Sequence, residues 1–174
     1  MYLKRAAHTG KQKPSRWRWI TLNEPGKDYI EIIETKYRYA YGLDNKDWDL
    51  YRSIFLDEIT MDFSSYSGVP GTTQSADEWI ASCKMLFEGL DATQHQMSNP
   101  LVEIKGDEAR LRMYIQAEHF LLTSMGSDSY ALGGYYDDQL VRTEDGWKIA
   151  AVTINVNWNR GNRHIMQLAI EKKR

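Results

Sequence analysis

After Leu90 the hydrophobic rhythm of this 174-residue chain changes from a spacing of three and four to strict alternation, and that change limits what it can build. Upstream, Ile30, Ile33, Tyr37 and Tyr41 mark one face of a helix that Gly42 would end. Asp47 and Asp49 then open a short second helix reaching Phe55. Residues 58–63 alternate as a strand, and residues 64–73, holding Gly68, Pro70 and Gly71, read as a loop. Ser75-Ala76-Asp77-Glu78 is a capping box, in which the Ser75 hydroxyl accepts from the Glu78 amide and the Glu78 carboxylate reaches back to the Ser75 amide. It opens a third helix with Trp79, Cys83, Leu86, Phe87 and Leu90 in one stripe. Downstream the pattern predicts strands over 93–104, interrupted at Asn99-Pro100, and over 109–121, 130–142 and 147–158. Gly106-Asp107 and Glu144-Asp145-Gly146 supply turns, and Ile165, Leu168 and Ala169 a short terminal helix.

Helices first and hairpins later imply α+β rather than alternating α/β. The expected architecture is a cone-shaped, curved antiparallel sheet with the N-terminal helices packed over its concave face. Such a fold leaves a cavity between the layers, which the 21 Trp, Tyr and Phe residues can line. The domain spans 28–174. Residues 1–27 read as a basic arm outside it: residues 1–28 hold seven Lys and Arg against Glu24 and Asp28, a net +5, so the rest carries −7 of the total −2.

With a pI near 6.1 the chain is not a globally basic nucleic-acid binder. Cys83 is the one cysteine, so no internal disulfide and no cysteine zinc cluster is expected, and a buried apolar role suits its place in the helix stripe. The chain has no run of about 18 apolar residues to span a membrane and no apolar core for a secretory signal, which points to a cytoplasmic protein.

Candidate chemistry gathers on a few side chains. His119 falls on the apolar phase of its strand, between Ala117 and Leu121, and His95 begins the preceding strand, so both are expected to point inward. No HxH, HExxH or CxxC spacing supports a metal, although His95, His119 and a nearby acid could form a two-histidine, one-carboxylate set. Asp137 and Asp138 lie on opposite phases of their strand, so one of them must face the apolar side. Asp44 follows Gly42-Leu43 at the mouth between two helices, where it either caps the second helix or faces the cavity.

These residues carry a resemblance. The run from Tyr37-Arg38-Tyr39 through Gly42-Leu43-Asp44-Asn45-Lys46-Asp47-Trp48-Asp49 is similar to the first motif of SnoaL-like proteins, in the nuclear-transport-factor-2-like superfamily. Thr93-Gln94-His95 resembles the second, and Gly134-Tyr135-Tyr136-Asp137-Asp138 with Arg142-Thr143-Glu144-Asp145-Gly146-Trp147 resembles the closing hairpin. Within that family the chain looks most like the scytalone dehydratases, bile-acid 7α-dehydratases and hexachlorocyclohexane dehydrochlorinases. The resemblance implies an Asp44–His95 pair in a cone-shaped pocket, eliminating water or HCl without cofactor or metal. It implies Tyr39 and His119 as polarising donors, and Phe63, Asp138, Tyr136 and Trp48 as substrate contacts. Leu43 and Phe63 replace tyrosines of the scytalone enzymes, so scytalone itself is not the expected substrate.

The expected function is therefore a cofactor-independent lyase acting on a bulky or ring-containing apolar carbonyl compound, with His95 as base and Asp44 as its orienting partner. An isomerase or cyclase could use the same pair. A ligand-binding or assembly module, like the small subunit of ring dioxygenases, would keep the pocket without turnover. Residues 147–158 are apolar on both phases, which calls for cover on both sides of the strand and hence a homo-oligomer. The resemblance favours a trimer slightly over a dimer, with Trp17 and Trp19 of the arm as anchors on a neighbour.

Overall fold

The computed structural model of the chain describes residues 24–173. Its elements are α1 (Glu24–Asn45), α2 (Trp48–Ser53), β1 (Phe55–Asp62), α3 (Ser64–Ser67), β2 (Thr72–Ser75), α4 (Ala76–Phe87), β3 (Ala92–Lys105), β4 (Glu108–Phe120), β5 (Ser129–Thr143), β6 (Gly146–Gly161) and α5 (Ile165–Lys172). The strands form one curved sheet in the order β2-β1-β6-β5-β4-β3, with the helices against its inner face. The α+β architecture thus holds, with one difference: β1 runs parallel to β6, because α4 and the three strands after it intervene before β6 returns to its side. The expected loop over 64–73 also contains the helical turn α3 and the start of the edge strand β2, paired to β1. Trp17, Trp19 and the arm's cations other than Lys27 lie outside the described residues.

Local signals act where expected. Ser75 and Glu78 form both bonds of the capping box, at 3.2 Å each; such a cap is worth about 1 kcal/mol. β4 alternates between buried and exposed along its whole length. The Asn99-Pro100 interruption is a register shift between Ser98 and Leu101, with Asn99 at φ 54°. The β5–β6 turn closes with Gly146 at φ 93°, a conformation that glycine tolerates best.

Two expectations need correction. The buried face of α1 is not Ile30/Tyr37/Tyr41, which are 44, 43 and 68% exposed; it is Ile32, Lys36, Tyr39 and Leu43, with Ile33 beside them. A fully buried lysine interrupts this stripe, so the rival stripe looked the more apolar. In β6, a bulge at Ala150 moves the inward face from one phase to the other: Trp147 and Ile149 point inward before it, Val152 and Ile154 after it. Apolar residues on both phases of 147–154 therefore follow from a shift of register within the chain.

The first turns of α1 are tied to the β5–β6 hairpin by charge. Arg142 donates to both Asp28 oxygens at 2.7 Å, and Trp147 Nε1 donates to Asp28 Oδ1 at 3.2 Å. The Arg142 guanidinium holds the Asp28 carboxyl at about 2, well below the usual range. This clamp seats α1 over β3 and β6 and so sets where its C-terminal half, with Tyr39 and Asp44, meets the sheet.

Candidate active site

Between the helices and the inner sheet face lies an apolar cavity of about 250 Å³. Tyr39 and Leu43 of α1, Tyr51 of α2, Trp79, Cys83 and Phe87 of α4, and Met166 and Ile170 of α5 wall it on one side. Ala117, Leu132 and Ile154 of the sheet wall it on the other, and Phe63 and Tyr66 close one end. His95, His119, Ser82 and the tyrosines bring polar groups to its lining. A wider cleft of about 960 Å³ crosses the outer sheet face, but its floor is the Arg110–Asp137 ion pair and no candidate residue reaches it. An enclosed apolar wall with a few convergent polar groups is what a small-molecule site requires, so the inner cavity is the candidate site.

Asp44 and His95 meet. Asp44 Oδ1 lies 2.6 Å from His95 Nδ1 and accepts from the Thr93 hydroxyl at 2.8 Å, while Oδ2 accepts from the His95 backbone amide at 2.8 Å. Burial raises the Asp44 carboxyl, but the bonds from His95 and Thr93 outweigh it and leave the group below its ordinary value. Asp44 does not line the cavity itself. It faces an outer groove beside Tyr37, Tyr41 and Phe120, and His95 stands between the two spaces with its side chain 5% exposed. Asp44 acts on the cavity through His95, and Asp47, not Asp44, caps α2 by accepting from the Leu50 amide.

His119 is inward and 3% exposed, with its ring 5.7 Å from that of His95 and Phe87 packed against both. Its Nδ1 faces the Tyr130 carbonyl at 3.3 Å. A carbonyl only accepts, so Nδ1 carries the proton and Nε2 presents a lone pair. Burial, with His95 beside it, lowers the ring to about 4. With the proton on Nδ1, a neutral His119 ring offers an acceptor at Nε2 rather than the donor that the resemblance implies.

Tyr39 and Tyr136 meet edge to face at 5.6 Å, and Tyr39 also packs on Tyr51 at 5.1 Å. The Tyr39 hydroxyl interacts with those of Tyr51 and Tyr136, while Tyr51 accepts from Trp79 Nε1 at 3.0 Å. Burial pushes all three phenols up, so they are protonated donors. Cys83 is a buried wall residue, its thiol pushed up to about 12 by burial.

Two expected substrate contacts lie elsewhere. Trp48 packs behind Tyr51, which occupies the wall one turn later, and donates to Glu88 at 3.1 Å. Of the two acids on opposite phases of β5, Asp138 is the one that points inward, but it is fully buried beyond Tyr136 and paired to Lys36 Nζ at 2.7 Å. Phe63 and Tyr136 do line the cavity. Lys36 was not among the expected residues, although it sits four residues after Ile32 and three before Tyr39 on the buried stripe. Among the described residues, no group of three or more His, Cys, Asp and Glu side chains is arranged to hold a metal ion.

A family model described as a SnoaL-like domain matches residues 26–153. A protein of solved structure from Kribbella flavida, Kfla4162, is 32% identical over 83% of this chain and 99% of its own, with a TM-score of 0.79. The scytalone dehydratase arp1 of Aspergillus fumigatus is 26% identical over 140 residues, 76% of this chain and 83% of that protein. The hexachlorocyclohexane dehydrochlorinase LinA-type3 of Novosphingobium barchaimii shares the fold at a TM-score of 0.65 and 13% identity, over 80% of this chain and 92% of its own. With the family match covering most of the domain, the chain belongs to the SnoaL-like family, within the nuclear-transport-factor-2-like fold.

Proposed function

We propose that the protein is a lyase carrying out a dehydratase-like elimination on a bulky or ring-containing apolar carbonyl compound, with His95 as base and Asp44 as its orienting partner. The observation that carries this reading is the 2.6 Å Asp44–His95 contact, whose histidine stands in the wall of a largely apolar cavity. With its Nδ1 proton donated to Asp44, a neutral imidazole keeps Nε2, on the opposite edge of the ring, free to take a proton. That atom removes the proton from the carbon beside the carbonyl, and the electron pair moves onto the carbonyl oxygen as an enolate. Collapse of the enolate forms the new C=C bond and breaks the bond to the leaving hydroxyl, which departs as water with the proton returned by His95. No net oxidation or reduction occurs, so the step calls for no electron carrier.

Tyr39 and Tyr136 are the donors for the enolate oxygen. His119 accepts from the substrate hydroxyl and, 5.7 Å from His95 ring to ring, holds it near the base that must return the proton. Relatives named as a scytalone dehydratase and a dehydratase support an elimination over other uses of the pocket. Replacing His95 by Ala should preserve the fold and lower turnover by about 10²- to 10⁴-fold on a β-hydroxy carbonyl compound that the wild type consumes. Unchanged turnover in a folded His95→Ala protein ends the assignment.

A further inference from the structure

Lys36 is enclosed on every side, one turn before Tyr39 on the buried stripe of α1. An ammonium carries three N–H donors and no acceptor. One side of Nζ meets Asp138 Oδ2 at 2.7 Å as an ion pair, and among the described residues no nitrogen or oxygen is placed at the angles of a hydrogen bond to it. Its remaining donors are left to two aromatic faces: Nζ lies 3.5 Å from the centroid of the Tyr136 ring and 3.9 Å from that of Tyr39. Both rings line the cavity, and both hydroxyls belong to its donor cluster. One fully buried cation therefore sits behind two phenols whose other ends face the substrate space.

Stability alone does not account for this arrangement. A buried ion pair gains little over two well-packed apolar side chains, because each charge must first leave water. A desolvated cation against the ring face, by contrast, attracts the ring quadrupole strongly and resists changes of tilt. It also draws electron density from the phenol and so strengthens the O–H as a donor. Asp138 keeps the charge in place: burial lowers the Lys36 ammonium from its ordinary value, and the carboxylate opposes that loss.

We propose that Lys36, anchored by Asp138, is a positioning residue that fixes the Tyr39 and Tyr136 rings and strengthens their hydroxyls as the donor pair for negative charge on the substrate oxygen. This rests on the reading of those tyrosines as the enolate donors.

The test replaces both charges by apolar groups, Lys36→Met with Asp138→Leu, which leaves no lone buried charge. Tyrosine labelled with carbon-13 at Cζ reports Tyr39 and Tyr136 by NMR without any substrate. The expected result is a folded double variant in which both resonances move, kcat falls about 10- to 100-fold, as misplaced donors would cause, and KM changes less than kcat. A folded double variant with wild-type Cζ resonances overturns the proposal, whatever its turnover, and so does one whose resonances move while kcat stays the same. Should the double variant not fold, the wild type decides: the Lys36 ε-methylene protons must be shifted upfield by the two ring faces, and ordinary positions refute the placement. Failure of the elimination reading is separable. It would show as full turnover in His95→Ala, with the Lys36-dependent movement of the tyrosine resonances intact.

Discussion

Asp44→Asn is a perturbation whose outcome follows from the direction of three hydrogen bonds. The carboxylate accepts all of them: from the His95 amide at Oδ2, and from Thr93 Oγ1 and His95 Nδ1 at Oδ1. Asparagine has one accepting oxygen and one donating NH₂. The His95 backbone N–H can only donate, so the amide oxygen must take the Oδ2 place and the NH₂ group the Oδ1 place. The Thr93 hydroxyl can rotate and accept, but His95 Nδ1 must also become an acceptor, which moves the ring proton to Nε2, the atom the proposed reaction needs bare. Turnover should fall by about 10²–10⁴ while the fold remains, since a wrong tautomer removes the base without emptying the site. The stability cost should be small, about 1–2 kcal/mol, for turning one charge-assisted bond into neutral ones. Nitrogen-15 spectra of the His95 ring test the step directly, with the proton on Nδ1 in the wild type and on Nε2 in Asp44→Asn. A variant that keeps the wild-type tautomer, or keeps turnover within about threefold when every donor counts for more than that, refutes the reasoning.

Other consequences are open to measurement. Burial lowers His119 from 6.5 to about 4, so the unfolded chain binds a proton that the folded one refuses, and on the order of 3 kcal/mol of stability present above pH 6.5 is lost as pH falls to 4. Asp138, raised to about 6 by burial, acts with the opposite sign, so the check compares urea unfolding of the wild type and His119→Leu at both ends of that window; equal losses contradict the assignment. A Cβ on Gly89 would meet the Ala169 carbonyl oxygen at 2.0 Å, so Gly89→Ala should part α4 from α5 and cost about 1–3 kcal/mol, read as a lowered thermal midpoint. The outer sheet face carries Tyr114, Phe120 and Trp158, 53, 41 and 41% exposed, and we expect a homo-oligomer that covers them; a light-scattering mass near the 20.3 kDa of one chain would refute this.

The fold was legible wherever one local rule acted alone. The capping box, the alternation of β4 and the Asp-Gly turn depend on neighbours in sequence, and each lies where its pattern places it. Pairings set by the sheet as a whole were not legible. Nothing in residues 55–62 announces that they pair with β6 in parallel, and a bulge that swaps the faces of β6 reads in sequence as a strand apolar on both sides. At the site, the motif singles out Asp44, His95 and Tyr39, and the structure brings Asp44 onto His95 and sets His95 and Tyr39 in the cavity wall. The contact of His119 was not legible, because it is made to a carbonyl at Tyr130, a partner that only the β4–β5 register supplies.

Lys36 and Asp138 mark a different boundary, since each left a trace when read alone. Asp137 and Asp138 stand out as acids on opposite phases of β5, one of which must face the apolar side, while Lys36 hides the true stripe of α1 behind the more apolar one of Ile30, Tyr37 and Tyr41. A cation on a helix face and an anion on an inward strand phase are each costly if buried unpaired. Two such anomalies of opposite sign, in elements that pack together, have an economical resolution in each other. Of the two rotations open to α1, the one that buries Lys36 also provides the counter-charge that Asp138 requires, and it brings Tyr39, three residues on, inward with it. The charge that disrupts the apolar pattern is thus evidence for the rotation it disrupts, provided that its partner is sought on the facing strand.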